Sequence, residues 1–486
     1  MTRKMDFIVK ALTGLSICAL ACAAPSGVLA DPKPAAQPLA VDDVSWLFPA
    51  PLSAAELRDN TISIADLVSV DPGDSTKRDA ILPQKTFDHF ASIVQSSASE
   101  IAGKRVHLPT TDLKNWRIAG LRIDPGAPGL SAAIRGQFGQ TPQLRFILQP
   151  VTVKPDGSVE IHDVAVHLIY NFTVGGLAGL AFPKQLGCLP PSKPDMTAFQ
   201  ALARDFRGLR DRLAAGEFGG QAVSTSGALL GVHPGLANAA TVKPLRAALI
   251  EVLQKHLSAK RFSGLAVAGL PAGDAGAPSG AVNAPQPWIF MATAEFPLLG
   301  LSALRAPTLD GREFAEELAL TTGKPATPHE VVPTPATNNE NPITCRSAAA
   351  LGGEALLPES KRKGVSTAEL FKLGDNELSS TDAKNRAVVK EVADRIANVD
   401  QSHFFNTDCV SCHTDTRRTL DLLGKDTVIP GVDPKALPGT TWNIRNFGWS
   451  FAPKGETPTI RATATRRAAS ETKAVVDFIN SRGLAR

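Results

Sequence analysis

Apolar and polar positions alternate over residues 116–123, Trp-Arg-Ile-Ala-Gly-Leu-Arg-Ile, and the run stops at Asp124-Pro-Gly. A period of two sends successive side chains to opposite faces, so this stretch predicts a half-buried strand closed by a turn. The same texture recurs at 143–149 and 159–172, on either side of the turn signal Pro155-Asp-Gly157. It returns at 262–270 and 288–296, around a Gly/Ala/Pro loop at 271–287. Residues 197–215 and 245–257 instead space their apolar positions three and four apart, the pattern of a helix with one buried face. Strands joined by turns, with helices inserted, predict an α+β domain with a mixed or antiparallel sheet over 46–320.

Two stretches interrupt this pattern. Residues 31–45 are rich in Pro and Ala and read as a tether, and 321–343 reads as a linker of Thr, Pro, Asn and Gly. Beyond it, 387–399 predicts a helix leading towards His403, and 470–480 predicts a closing amphipathic helix with Ser470 as its N-cap. The second domain, 344–486, is therefore expected to be mostly α-helical. No internal repeat is visible.

The first residues carry their own signal. Arg3, Lys4 and Lys10 precede a short apolar run at 11–24, and Val28-Leu-Ala30 offers a small-residue cleavage site before Asp31. That run is shorter than the roughly 20 apolar residues of a spanning helix, so residues 1–30 are expected to be a signal peptide. Ala19-Leu-Ala-Cys22 also loosely resembles a lipid-attachment box, with Ala19 where that pattern usually has Leu. Simple cleavage is favoured over a lipid anchor at Cys22. The expected location is the periplasm, or the outer membrane if Cys22 is lipidated. No other apolar run is long enough to span a bilayer, so no transmembrane segment is expected after signal removal.

Composition narrows the function classes. The chain has 486 residues, 43% of them hydrophobic, and a formal charge of only +4. That is ample for more than one core and too weak a charge to suggest a nucleic-acid partner. Basic residues gather late, at Arg445, Lys454, Arg461, Arg466, Arg467, Lys473, Arg482 and Arg486. They form either a solvated face or one that pairs with haem propionates and docks an acidic redox partner protein. Of six cysteines, Cys18 and Cys22 lie in the signal region, and Cys188 and Cys345 remain as a disulfide or as two free thiols.

The other two, Cys409 and Cys412, belong to Cys409-Val-Ser-Cys412-His413. C-x-x-C-H is the attachment site of a c-type haem. Two thiols about one helical turn apart can each form a thioether to a vinyl group of one porphyrin edge, and the next residue can give the iron an imidazole nitrogen. A redox dithiol would sit after a strand in a βαβ unit, and a structural zinc would want further Cys or His ligands that do not follow His413. One covalent haem c is the expected cofactor, with His413 as proximal ligand.

A helix into C-x-x-C-H, a loop-rich middle and a terminal helix together resemble a class I cytochrome c domain. The resemblance covers under a third of the chain, and only the five-residue motif is specific. In that family a Met on the loop before the last helix usually completes the iron's coordination. No Met, His or Cys follows His413 here. Three readings stay open: a ligand from upstream (His403, His329, Met291 or Met196), an iron with an open or weakly filled position, or a ligand from a partner subunit. Trp442, Phe447 and Trp449 are candidates to wall the haem edge, Arg445 or Arg461 to pair with propionates, and Trp442 or Asn446 to donate into a distal pocket. Ordinary packing of a small domain accounts for the same residues.

The 46–320 region does not declare a chemistry. His162 and His167 fall on opposite faces of one strand, with Asp163 nearby, and there is no phosphate loop, nucleophile elbow or H-E-x-x-H. The leading expectation is single-electron transfer between exported partners. The alternatives are a haem peroxidase or other redox enzyme with an open iron site, and a haem-based ligand sensor.

Overall fold

A computed structural model describes residues 37–71, 74–97, 108–126, 140–162, 164–174, 193–225, 227–269, 289–296, 300–303, 383–400, 413, 415–417, 419–420, 423–424, 427–438, 446–451 and 460–486. The expected signal peptide and linker lie outside these residues, as do Cys188 and Cys345. Among the described helices, none is long and apolar enough to cross a membrane.

The alternating stretches do form strands. Trp116–Asp124 (β4), Gln143–Val153 (β5), Val159–Ile161 (β6), Val164–Asn171 (β7), Phe262–Gly269 (β10), Ile289–Phe296 (β11) and Gly300–Ala303 (β12) join Ser45–Leu47 (β1) in an eight-stranded sheet. The spatial order is β1-β4-β5-β7-β10-β11-β12, with β6 on β5, and every pairing is antiparallel. Of the mixed and antiparallel sheets expected, the antiparallel one is present. Val68–Asp71 (β2) pairs with Asp74–Ala80 (β3), and Thr173–Val174 (β8) with Lys193–Pro194 (β9), as separate two-stranded ribbons. The turn expected at 155–157 is built as the pattern suggests, with Gly157 at φ 80° closing a loop in which Lys154 N–H donates to Ser158 O.

The helical periods also hold. They give Met196–Ala214 (α4) and Val242–His256 (α6), which pack on each other beside the shorter Val41–Val44 (α1), Ala54–Asn60 (α2) and Pro234–Ala237 (α5), while Gln84–Ser97 (α3) lies against β12. Asp195 caps α4 by accepting the Ala198 N–H. Leu39 and Val41–Val44, which fall within the Pro/Ala-rich stretch 31–45, are buried.

The C-terminal segment contributes Ala383–Ala397 (α7), the hairpin Phe447–Phe451 (β13) with Ile460–Ala464 (β14), and Arg466–Arg482 (α8). The closing helix starts four residues before the expected Ser470. Thr465 is its N-cap, accepting the Ala468 N–H, and Ser470 lies inside the second turn. The local signal was ambiguous because Ser and Thr are both accepted caps and lie five positions apart.

Pro38–Arg486 is one compact unit, and residues of both expected domains share a single core. Trp46, Trp116 and Trp449 are fully buried in one contiguous cluster that reaches from Leu39 to Ala485. Side-chain amides join distant parts of the chain. Asn480 donates to Leu39 O and accepts its N–H, both at 2.9 Å. Gln149 makes the same two-bond grip on Trp449. Ser45 and Thr472 hydroxyls meet at 2.8 Å. These bonds satisfy backbone and hydroxyl groups that the shared core removes from water.

Candidate haem-attachment site

His413 is helical and buried, as are Asp415, Thr416, Arg417, Thr419 and Leu420 after it. A helical stretch buried on several sides must find partners for its polar groups. Thr419 Oγ1 donates to Asp415 O one turn back at 2.9 Å. Asp415, fully buried, receives Arg466 Nε at 3.0 Å, and Thr416 Oγ1 receives the Arg466 backbone N–H at 2.9 Å. The first residue of α8 therefore holds the two residues that lie two and three positions beyond His413.

Arg466 also reaches α7, where its Nη1 donates to Asp394 Oδ1 at 2.6 Å. Burial is the largest influence on Asp415 and pushes its carboxyl above the ordinary range, with Arg466 pulling the other way. Burial likewise disfavours the Arg466 cation, but Asp415 and Asp394 more than offset it and hold its pKa above the usual value. We take the pair as ionised, because a guanidinium does not release its proton and a matched buried charge needs its counter-ion.

Arg467 continues the array. Its Nη1 donates to Ile396 O at 3.0 Å and Asn398 O at 3.3 Å, capping the carbonyl end of α7. Its Nε donates to Glu471 Oε1 at 2.8 Å, and Glu471 Oε2 accepts Arg122 Nη1 of β4 at 2.7 Å. Burial opposes ionisation of Glu471, yet Arg122 and Arg467 together outweigh it and hold the carboxyl at about 2. Arg122 Nη2 goes on to Asp124 at 3.3 Å. The turn with His413, both flanking helices and the main sheet are thus coupled through alternating charges.

Several sequence candidates lie outside the described residues: Cys409, Cys412, His403, Trp442, Arg445, His329 and Asp163. Met196 opens α4 and its sulfur accepts from Gln140 Nε2 at 3.5 Å, while Met291 sits in β11 opposite Val267. Trp449 and Phe447 are buried packing residues: Trp449 Nε1 donates to Phe48 O at 2.9 Å, and the Phe447 ring lies over Gly120. His162 bonds Thr152 Oγ1 at 2.8 Å, and His167 stands between Ile147 and Ala266 in the sheet. Among the described residues no group of three or more His, Cys, Asp and Glu could hold a metal ion.

Sequence reasoning did not single out Asp394 or Asp415, and it placed Arg466 and Arg467 in a late basic cluster, whereas both are buried ion-pair partners. Lys473, by contrast, is exposed beside Asp477. One signal was available. Two arginines in the first turn of a helix oppose its dipole, and that placement makes sense where carboxylates from elsewhere neutralise them.

Whether these residues suit a covalent haem can be tested on an atom of this site. Arg466 Nη2 is buried with no hydrogen-bond partner among the described residues. An unmatched cationic donor against the His413 segment fits a group that brings both an iron for the imidazole and carboxylates of its own. Comparison with protein-family models, with curated proteins and with solved structures gives no match to this chain.

Proposed function

We propose that this chain is an exported mono-haem c-type cytochrome that passes single electrons between periplasmic partners. The observation that carries the reading is Cys409-Val-Ser-Cys412-His413, whose residue types and spacing suit two thioethers and an axial imidazole. The burial of His413 on a helical turn is compatible with that role. So is the passage from α7 to the motif and the closing helix α8, which together support a cytochrome c-like arrangement of the C-terminal part. A β13–β14 hairpin precedes the last helix.

Haem bound here would supply a reversible one-electron couple. The chain's own residues do the rest. Cys409 and Cys412 tether, His413 ligates, and Asp415 and Thr416, held by Arg466, fix the turn that aims the imidazole. The sheet region would supply the docking surface or specificity. Export through residues 1–30 accounts for covalent attachment, with a lipid on Cys22 as the alternative exit and a redox protein as the partner.

A second reading follows from the lack of any Met, His or Cys after His413. An iron with an open position would support peroxidase chemistry or ligand sensing. Purified holoprotein from a maturation-competent host separates the cases. Covalent haem should appear as a mass increment and be lost in Cys409→Ser, Cys412→Ser and His413→Ala. A colourless, unmodified chain would defeat the proposal. A low-spin spectrum indifferent to cyanide and CO supports electron transfer, and rapid ligand binding by a high-spin ferric form supports the second reading. An unchanged spin state in His403→Ala removes that residue as distal ligand.

A further inference from the structure

We infer that Arg466, within the late basic cluster, is the seat of a haem propionate, in place of Arg445 and Arg461. The inference rests on the covalent-haem reading above and deepens it.

The argument begins with donors. A guanidinium has five N–H groups in a planar fork and keeps its charge in any protein environment. In Arg466, Nε is taken by Asp415 and Nη1 by Asp394. Nη2 has no partner among the described residues although the side chain is only 9% exposed. Leaving a buried donor unmatched costs about 1–3 kcal/mol, and more for a charged group. Thr465 Oγ1 caps α8 and bonds Asn446, and Thr416 Oγ1 takes the Arg466 backbone N–H.

Charge points the same way. Arg466 opens a helix of 17 residues, so the positive end of the α8 dipole adds to the guanidinium. Of the two carboxylates that oppose Arg466, Asp394 is 45% exposed on its side chain, where water screens it, and neither bonds Nη2. Arg466 touches Asp415 and Thr416, within a turn of His413, so a carboxylate carried by the ligand of that histidine arrives without any further component. Arginine and carboxylate form the strong, directional pair such a site needs.

The test uses holoprotein grown so that haem carries 13C at its propionate carboxyls, with redox-difference infrared spectra of wild type, Arg466→Gln and Arg466→Lys. Haem content by mass is read first. In wild type, one labelled carboxylate band should lie apart from the position of a water-exposed propionate. It should move to that position in Arg466→Gln and part of the way in Arg466→Lys, which keeps a cation if the Gln variant fails to fold. Identical labelled bands in wild type and a folded, haem-bearing Lys or Gln variant would overturn the assignment. A wild-type chain without haem would overturn the underlying reading, a result visible before any variant is made.

Discussion

The side-chain amide of Gln149 takes both backbone hydrogen-bonding groups of Trp449, donating to its carbonyl at 2.9 Å and accepting its N–H at 2.6 Å across 300 positions of sequence. Gln149 lies in β5 and Trp449 in β13, so a central strand of the sheet treats the C-terminal hairpin as an additional backbone partner. The Trp449 ring is buried beneath the grip and its Nε1 donates to Phe48 O. The hairpin before α8 is therefore seated on the sheet by hydrogen bonds as well as by apolar contact.

Gln149→Leu should remove both bonds and strand two buried backbone groups, at about 1–3 kcal/mol each. Denaturant unfolding should show the loss in a single transition, because Trp449 and β5 belong to the same core. Wild-type stability in the variant would mean that the grip contributes nothing net.

Gly120 and Phe447 provide a steric check on the same seam. A Cβ built at Gly120 would lie 2.6 Å from two carbons of the Phe447 ring. Gly120→Ala should cost about 1–3 kcal/mol by overpacking. The penalty should shrink in a Phe447→Leu background, with a coupling energy above about 0.5 kcal/mol. Additive costs in the double variant would place the clash elsewhere.

Asp42 is a buried carboxyl whose Oδ1 has no hydrogen-bond partner among the described residues. Burial first, then the charges of Asp43 and Asp433, push its pKa from 3.8 to about 8. Arg210, 3.5 Å from Asp43, serves that neighbour instead. The folded state thus keeps a proton that the unfolded chain releases near 3.8. Stability should fall as pH rises between these values, by up to about 1.4 kcal/mol per pH unit. Asp42→Asn should flatten that decline, as read from unfolding midpoints at pH 5 and 8. Parallel pH profiles for the two proteins would contradict the assignment.

Glu471 has the opposite sign. Its folded pKa of about 2 lies below the ordinary 4.5, despite burial, because of Arg122 and Arg467. Its contribution is present above pH 4.5 and is lost as pH falls towards 2. Glu471→Gln should destabilise by about 3–5 kcal/mol near neutrality, leaving two buried arginines undermatched. The gap to wild type should close on acidification. A gap that stays constant with pH would show that the carboxylate charge is not what holds the array.

The closing helix shows how far local reading extends. Its amphipathic period was visible over 470–480, yet the helix begins at Arg466. Arg466 there is held by Asp394 and Asp415, partners 72 and 51 positions away that no window around residue 466 contains. The strands at 116–124, 143–153 and 262–269 were legible from their alternation and flanking turns, though β4 and most of β5 are buried on both faces. The Cys409–His413 motif was readable for a different reason: a porphyrin would require that spacing of two thiols and an imidazole whatever fold surrounds it, and the haem proposal rests on it.

Taken alone, the order of residues determined which stretches are strands or helices and supplied the five residues on which the haem proposal rests, since both depend on periods and spacings a few positions long. Tertiary structure alone decided that Trp449 sits on Gln149 and that Arg466 is an interior cation. A charged side chain is a solvated surface group or a buried partner according to how much water its neighbours exclude, and those neighbours come from parts of the chain up to hundreds of positions away.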